Sequence, residues 1–237
     1  VKYRYSWPTI QLGIILFALL SFTFSAEGLI VEESIIYGYN STRLLWNQAR
    51  SRRVVAFTID DAPNRYTDDI LAVLGRYRVR ATFFLIGSHV TRYPEIARRI
   101  VQAGHEIGNH SYFHDYTNNT SLEELEEDIR KAERAIVETV GKVPVYFRPP
   151  GGLINERIKK ACGNLGYGIL LWDVDSRDWD LREKEIQIVN NVVNQVRPGS
   201  VILLHSLPQT AKALPAIIIR LQDAGYTIVP ATHLFQH

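Results

Sequence analysis

The chain is poor in cysteine: Cys162 stands alone in 237 residues, so no intramolecular disulfide can form. Its place in an apolar helical pattern points to core packing rather than to a reactive thiol. Nor does one sign of charge dominate, since 27 Lys and Arg stand against 25 Asp and Glu, a net charge of +2. That balance gives no electrostatic footprint for nucleic acid, and no nucleic-acid motif or basic stripe is present. Arg50, Arg52, Arg53 and the arginines between 76 and 80 read as solvated faces. Long apolar runs are scarce too. The one that occurs, Ile10 to Phe24, follows Lys2 and Arg4 and leads into the small residues Ser25 and Ala26. A basic start, an apolar middle and a small-residue exit is the pattern of a secretory signal peptide. The run is also nearly long enough to stay in the bilayer as an N-terminal membrane anchor. Either way the remainder is expected to be extracytoplasmic, secreted or attached to the membrane through residues 10–24. Residues 1–26 are therefore set apart from the fold. Residues 27–51, weakly periodic with Tyr37, Tyr39 and Trp46, read as an N-terminal extension ahead of a domain at 52–237.

What is present from residue 54 onward is a rhythm of apolar strands and amphipathic helices. Val54–Ile59, Ala81–Ile86, His105–Ile107, Val143–Phe147, Gly168–Trp172, Ser200–Leu204 and Tyr226–Val229 are strand candidates. Each but the last is followed by a helical pattern. Thr67 is expected to cap the first helix, and Pro94 to open a second that stops at Gly104. Ser121 and Glu124 form a capping box for a helix ending at Gly141, whose acidic run Glu123–Asp128 reads as a solvated face. Asn155 caps another, and helical spacing recurs over 183–196 and 210–224. Such alternation predicts an α/β fold with a parallel sheet, either an incomplete barrel or an open doubly wound sheet. Both place ligands at the carboxyl ends of the strands.

The polar residues fall at those ends. The first strand, VVAFTIDD, terminates in Asp60 and Asp61. Two adjacent ionised carboxylates cannot both enter a core uncompensated, so alone they suggest a turn, a cap or a chemical site. Later strand ends supply His110 and His114, then Arg148, then Asp173, Asp175, Asp178 and Trp179, and finally His205. His110 and His114 are four apart (HSYFH), which on a helical turn puts both imidazoles on one side, as in two-histidine metal sites. Two histidines and one carboxylate leave positions open for water and substrate. One of the two aspartates would bind the metal and the other take a proton from water. His205, at the end of VILLH, suits a general acid near neutral pH.

These residues carry a resemblance. The chain resembles the polysaccharide deacetylases with a NodB homology domain, carbohydrate esterase family 4, from about Arg52 to its C-terminus. The family's TFDD motif appears as Thr58-Ile59-Asp60-Asp61, H[ST]xxH as His110-Ser111-Tyr112-Phe113-His114, and RxPxG as Arg148-Pro149-Pro150-Gly151-Gly152. DxxDW appears as Asp175-Ser176-Arg177-Asp178-Trp179, and LxH as Leu203-Leu204-His205. Each motif is weak singly; their shared order over one domain is specific. The resemblance implies a distorted, incomplete (β/α)7 barrel and a divalent metal, most often Zn2+, with Co2+ and Ni2+ as alternatives. It makes Asp61, His110 and His114 the metal ligands, Asp60 the base and His205 the acid. Arg148 would orient Asp60, and Asp178, or alternatively Asp175, would tune His205. Trp179 and Leu203 would line the pocket for the acetyl methyl, and the backbone N–H of Gly151 would serve an oxyanion hole. Two positions depart from the family pattern: Ala62 stands where Gly is common, and Gly151 where Tyr is common.

The expected activity is metal-dependent removal of N-acetyl groups from an N-acetylated glycan, peptidoglycan or chitin oligomers. An O-deacetylase of a polysaccharide such as acetylated xylan is the alternative within enzymes. A non-catalytic glycan-binding module is the alternative outside them, disfavoured because no ligand or base is missing. No protein partner is implied. Asn40, Asn109, Asn118 and Asn119 open Asn-x-Ser/Thr triplets, but Asn109 beside His110 is a poor place for a glycan.

Overall fold

The computed structural model describes residues 36–37, 52–115, 120–144, 146–180, 182 and 184–234. The expected signal or anchor segment, and all of the extension but residues 36–37, lie outside the described residues. Among the described residues no helix is long and apolar enough to cross a membrane.

The strands are β1 (Ile36–Tyr37), β2 (Val54–Ala62), β3 (Thr82–Leu85), β4 (Glu106–Asn109), β5 (Tyr146–Phe147), β6 (Gly168–Leu170), β7 (Val174–Asp175), β8 (Val201–His205) and β9 (Thr227–Val229). Between them lie α1 (Thr67–Arg76), α2 (Gly87–Arg92), α3 (Pro94–Gln102), α4 (Leu122–Val140), α5 (Glu156–Leu165), α6 (Glu185–Gln195), α7 (Pro208–Asp223) and α8 (Ala231–Leu234). The sheet runs β1-β6-β5-β4-β3-β2-β8-β7, with β9 pairing onto the start of β2. All pairs are parallel except β1 with β6.

That order decides between the two architectures the pattern left open. In a doubly wound sheet the order reverses at a switch point. Here the strands follow one another round in sequence, and late β8 pairs with β2, the first strand of the series, as in a closing barrel. Closure stops between β6 and β7, so the barrel is incomplete.

β2 shows how sequence sets the layers. Val55, Phe57 and Ile59 are buried in one cluster with Ile70 and Leu74 of α1, Ile188 and Val192 of α6, and Leu214 and Ile217 of α7. Ala56 belongs to a second cluster with Phe84, Leu170 and Val201, while Thr58 and Asp60 reach the Arg148 guanidinium instead. Period-2 alternation thus sends odd residues to the helical layer and even ones to the barrel interior. A third cluster under α4 and α5 holds Leu125, Ile129, Phe147, Ile158 and Cys162. Burial pushes the Cys162 thiol up to about 12, the inert core role its pattern predicts.

Helix ends follow the caps, with one correction. Ser121 and Glu124 make the reciprocal capping box, Gly141 closes α4 with φ 68°, and Asn155 Oδ1 accepts from the Ile158 N–H. Pro94 is the first residue of α3. Thr67, however, is not a cap but the first residue of α1; its hydroxyl accepts from the Asn64 N–H and pairs with Ser206 Oγ. Short elements absent from the sequence reading are α2, α8 and the two-residue strands β1 and β7, too brief to show a period.

Candidate active site

Asp60 and Asp61 are consecutive on β2, so regular alternation would aim them at opposite faces. It does not hold here. Asp61 has φ 63° and the pairing of β2 with β3 shifts register between Ile59 and Ala62. The irregularity turns both carboxylates toward one imidazole: Asp60 Oδ2 and Asp61 Oδ1 each lie 3.6 Å from His110 Nε2. Asn64 fixes the turn beyond, its Nδ2 donating to the Asp61 and Ser206 carbonyls at 3.0 and 2.8 Å.

His110 follows β4, and His114 lies four residues on. Their segment is not the helical turn expected from the spacing. It is a loop in which Ser111 and His114 have φ 68° and 57°. Left-handed backbone at both positions brings the rings to 4.9 Å between centroids, edge to face. Local polar groups hold the bend: Asn109 Oδ1 accepts from the Ser111 N–H, and Ser111 Oγ from the His114 N–H, each at 2.9 Å. Asn109 itself is fully buried, with Nδ2 donating to the Ile129 carbonyl. The Asp128 carboxylate, read from sequence as part of a solvated face, accepts from the Tyr112 and Phe113 N–H groups. No local sequence signal marks that role, because the partner is backbone reached only through the fold.

Arg148 is fully buried, and every arm of its guanidinium is used. Nη1 donates to Asp60 Oδ1 at 2.8 Å and to Thr58 Oγ1 at 2.9 Å; Nε and Nη2 donate to the Leu170 and Leu171 carbonyls. Its charge lies over the rings of Phe84 and Trp172. Its own carbonyl is 2.7 Å from His110 Nδ1, which makes Nδ1 the donor and leaves Nε2 with a free lone pair facing the aspartates. Burial raises the Asp60 pKa, but Arg148 first, then His110 and His205, more than offset it, and the carboxyl lies below its ordinary value. Burial lowers the His110 pKa against the pull of Asp60 and Asp61, favouring the neutral ring.

At the end of β8, His205 Nδ1 lies 2.7 Å from Asp178 Oδ1, and the His205 N–H donates to Asp178 Oδ2 at 2.7 Å. Thr210 Oγ1 also donates to that buried carboxylate. Burial opposes charge on His205, yet the Asp178 hydrogen bond and charge, helped by Asp60 and Asp61, raise its pKa to about 9. Asp175, the alternative partner for His205, bonds elsewhere. Its Oδ1 accepts from the Arg177 N–H and the Trp179 indole N–H. Trp179 is 51% exposed and Leu203 buried. Gly151 has φ 61° and open space where a Cβ would stand. Asp173 ties β8 down, accepting from the Val201 N–H and Ser200 Oγ.

Asp61, His110 and His114 offer ligand atoms all within 4.8 Å of one another. The Asp61 Oδ1 atom is buried without a hydrogen-bond partner, an orphan acceptor that a cation would satisfy. Two imidazoles and a carboxylate form a donor set suited to a divalent transition metal. The residues fit such an ion.

The polysaccharide deacetylase family model matches residues 47–170 of the chain. A peptidoglycan-N-acetylglucosamine deacetylase of Bacillus cereus is 38% identical over 199 residues, covering 81% of this chain and 92% of that protein. A chitooligosaccharide deacetylase of a Bradyrhizobium strain is 34% identical, covering 82% of this chain and 96% of its own. Among solved structures, a carbohydrate esterase family 4 pseudoenzyme from Bacillus anthracis aligns with a TM-score of 0.75 at 31% identity, over 79% of this chain and 66% of that one. The strand order and the motif-bearing strand ends accord with these likenesses, and the chain belongs to the polysaccharide deacetylase family of hydrolytic enzymes, carbohydrate esterase family 4.

Proposed function

We propose that the chain hydrolyses the N-acetyl groups of an extracytoplasmic glycan, peptidoglycan or chitin oligomers, with a divalent metal, Zn2+ foremost, as cofactor. The observation that carries this reading is the convergence of two unlike carboxylates on His110 Nε2, one held by Arg148 and one whose buried Oδ1 accepts no hydrogen bond. Asp61, His110 and His114 would hold the ion. When bound, a divalent cation supplies a Lewis acid for the acetyl carbonyl and lowers the pKa of water.

The chain's own groups divide the proton work. Asp60, kept ionised by Arg148, takes a proton from the attacking water. His205 is oriented through Nδ1 by Asp178, so Nε2 carries the proton that goes to the departing amine nitrogen. The Gly151 backbone N–H serves the developing oxyanion, a role that needs no side chain. Trp179 and Leu203 flank the acetyl methyl. Glycans as substrates are supported by the names of the two relatives, both deacetylases of N-acetylated sugars. An extracytoplasmic place is supported by the basic-then-apolar pattern of residues 2–24.

The test is acetate release from peptidoglycan, chitin oligomers and acetylxylan, with zinc, cobalt and nickel in turn. Release from the N-acetylated substrates and its loss on chelation are expected. Asp60→Asn should lower turnover by roughly 100- to 10,000-fold while zinc content is unchanged. Release from acetylxylan alone would identify an O-deacetylase. No release from any substrate by zinc-loaded protein would leave a glycan-binding module, as the likeness to a pseudoenzyme makes worth testing.

A further inference from the structure

His110 and His114 are not equally well held. The His110 ring is buried and bonded to the Arg148 carbonyl. The His114 side chain is 38% exposed, and its ring faces Asp61 Oδ1 at 3.3 Å. Its position therefore depends on the loop that carries it, and that loop contains two left-handed residues, Ser111 and His114.

What braces the loop comes from α4. Asp128 Oδ2 accepts from the Tyr112 N–H at 3.0 Å and Oδ1 from the Phe113 N–H at 3.2 Å. One carboxylate thus takes two consecutive backbone N–H groups between the histidines, a charge-assisted pair of bonds. Nearly one turn along the helix, Lys131 Nζ lies 4.1 Å from the Tyr112 ring centroid and 4.4 Å from that of Phe113. α4 therefore grips both the backbone and the rings of the residues that separate the ligands.

We propose that Asp128 is a positioning residue of the metal centre, presetting His114 so that the third ligand is in place before the ion arrives. The inference rests on Asp61, His110 and His114 being metal ligands. A carboxylate is suited to the task because both oxygens accept. An Asn in its place keeps one acceptor and turns an NH2 toward the other N–H. Groups outside the coordination sphere that orient ligands typically govern affinity at the 10- to 100-fold level.

The experiment measures the zinc dissociation constant of the purified full chain by competition with a chromophoric chelator, for wild type, Asp128→Asn, Asp128→Ala and His114→Ala. Asp128→Ala is expected to weaken zinc binding by roughly 10- to 100-fold, with Asp128→Asn between it and wild type. Acetate release lost at limiting zinc should be regained as zinc is raised. A merely structural aspartate would not produce that rescue. Zinc binding within twofold of wild type by both folded Asp128 variants overturns the proposal. If Asp128→Ala is unfolded by circular dichroism, Asp128→Asn decides on the same threshold. Should wild type itself bind no zinc, the metal centre falls, and Asp128's role with it.

Discussion

Asp61 combines two unfavourable features: a left-handed φ of 63° and a buried carboxylate oxygen with no hydrogen-bond partner. The first costs a non-glycine residue about 1–2 kcal/mol; the second costs about 1–3 kcal/mol. Strain of this kind concentrates where function requires it. Asp61→Gly should therefore make the metal-free protein more stable, by about 1–2 kcal/mol in urea denaturation with chelator present, while zinc binding is lost. A destabilised variant would show that Asp61 already has a partner. Asp178 governs a second residue-scale outcome. It is the chief source of the raised His205 pKa and lies outside the metal-ligand set. With the folded pKa at about 9, above the ordinary 6.5, this His205 contribution to stability is complete below pH 6.5 and lost as pH rises through 9. In its proposed role as the acid, His205 is likewise protonated below pH 9. Asp178→Asn should move the alkaline limb of turnover down toward pH 6.5, read from a pH–rate profile, and reduce acetate release most at pH 8. An unmoved limb would assign it to another group. Residues whose type carries chemistry, such as Asp60, His205 and Arg148, were legible in the sequence. Asp128 was not, because its contacts are to backbone and its neighbours in sequence are ordinary surface acids.

Elements were legible where a local device specifies them. The Ser121–Glu124 box, Pro94 and Asn155 open their helices as the sequence predicts. The HSYFH segment was not legible in the same way: four-residue spacing fits a helical turn and also a loop with two left-handed residues, and only the fold selects the loop. The Arg148-Pro149-Pro150-Gly151-Gly152 segment makes a similar distinction between its glycines. Both have positive φ, 61° and 69°, but a Cβ at Gly151 meets open space, whereas one at Gly152 would stand 2.7 Å from the Trp172 ring. Gly151→Ala should cost only the backbone penalty, about 1 kcal/mol. Gly152→Ala adds a steric conflict of roughly 1–3 kcal/mol. Because Trp172 stacks on Arg148, the conflict should also loosen the Asp60 anchor and lower turnover. Denaturant titration of both variants checks the order; equal losses would remove Trp172 from the account.

At the scale of the molecule, hydrophobic pattern gave the alternation of strands and helices but not how they wrap. Barrel and doubly wound sheet share one local signature, and the paired residues of β2 and β8, such as Asp60 and His205, are 145 positions apart in sequence. That same long-range assembly would make a bound ion a structural link. Asp61 comes from β2, and His110 and His114 from the segment after β4. Arg148, following β5, fixes both His110 and Asp60. An ion bound by the folded chain alone stabilises it by mass action, about 2.7 kcal/mol at a free concentration 100 times its dissociation constant. For a domain of this size that corresponds to a rise in melting temperature of roughly 5–10 °C. Zinc titrated into metal-free protein should give that rise in a thermal scan, reversed by chelator. His114→Ala, which removes a partly exposed candidate ligand and leaves the core intact, should retain the metal-free melting temperature within about 2 °C and lose most of the zinc response. An equal zinc response in wild type and His114→Ala would mean that the ion binds elsewhere, and that the strand ends converge for some purpose other than holding it.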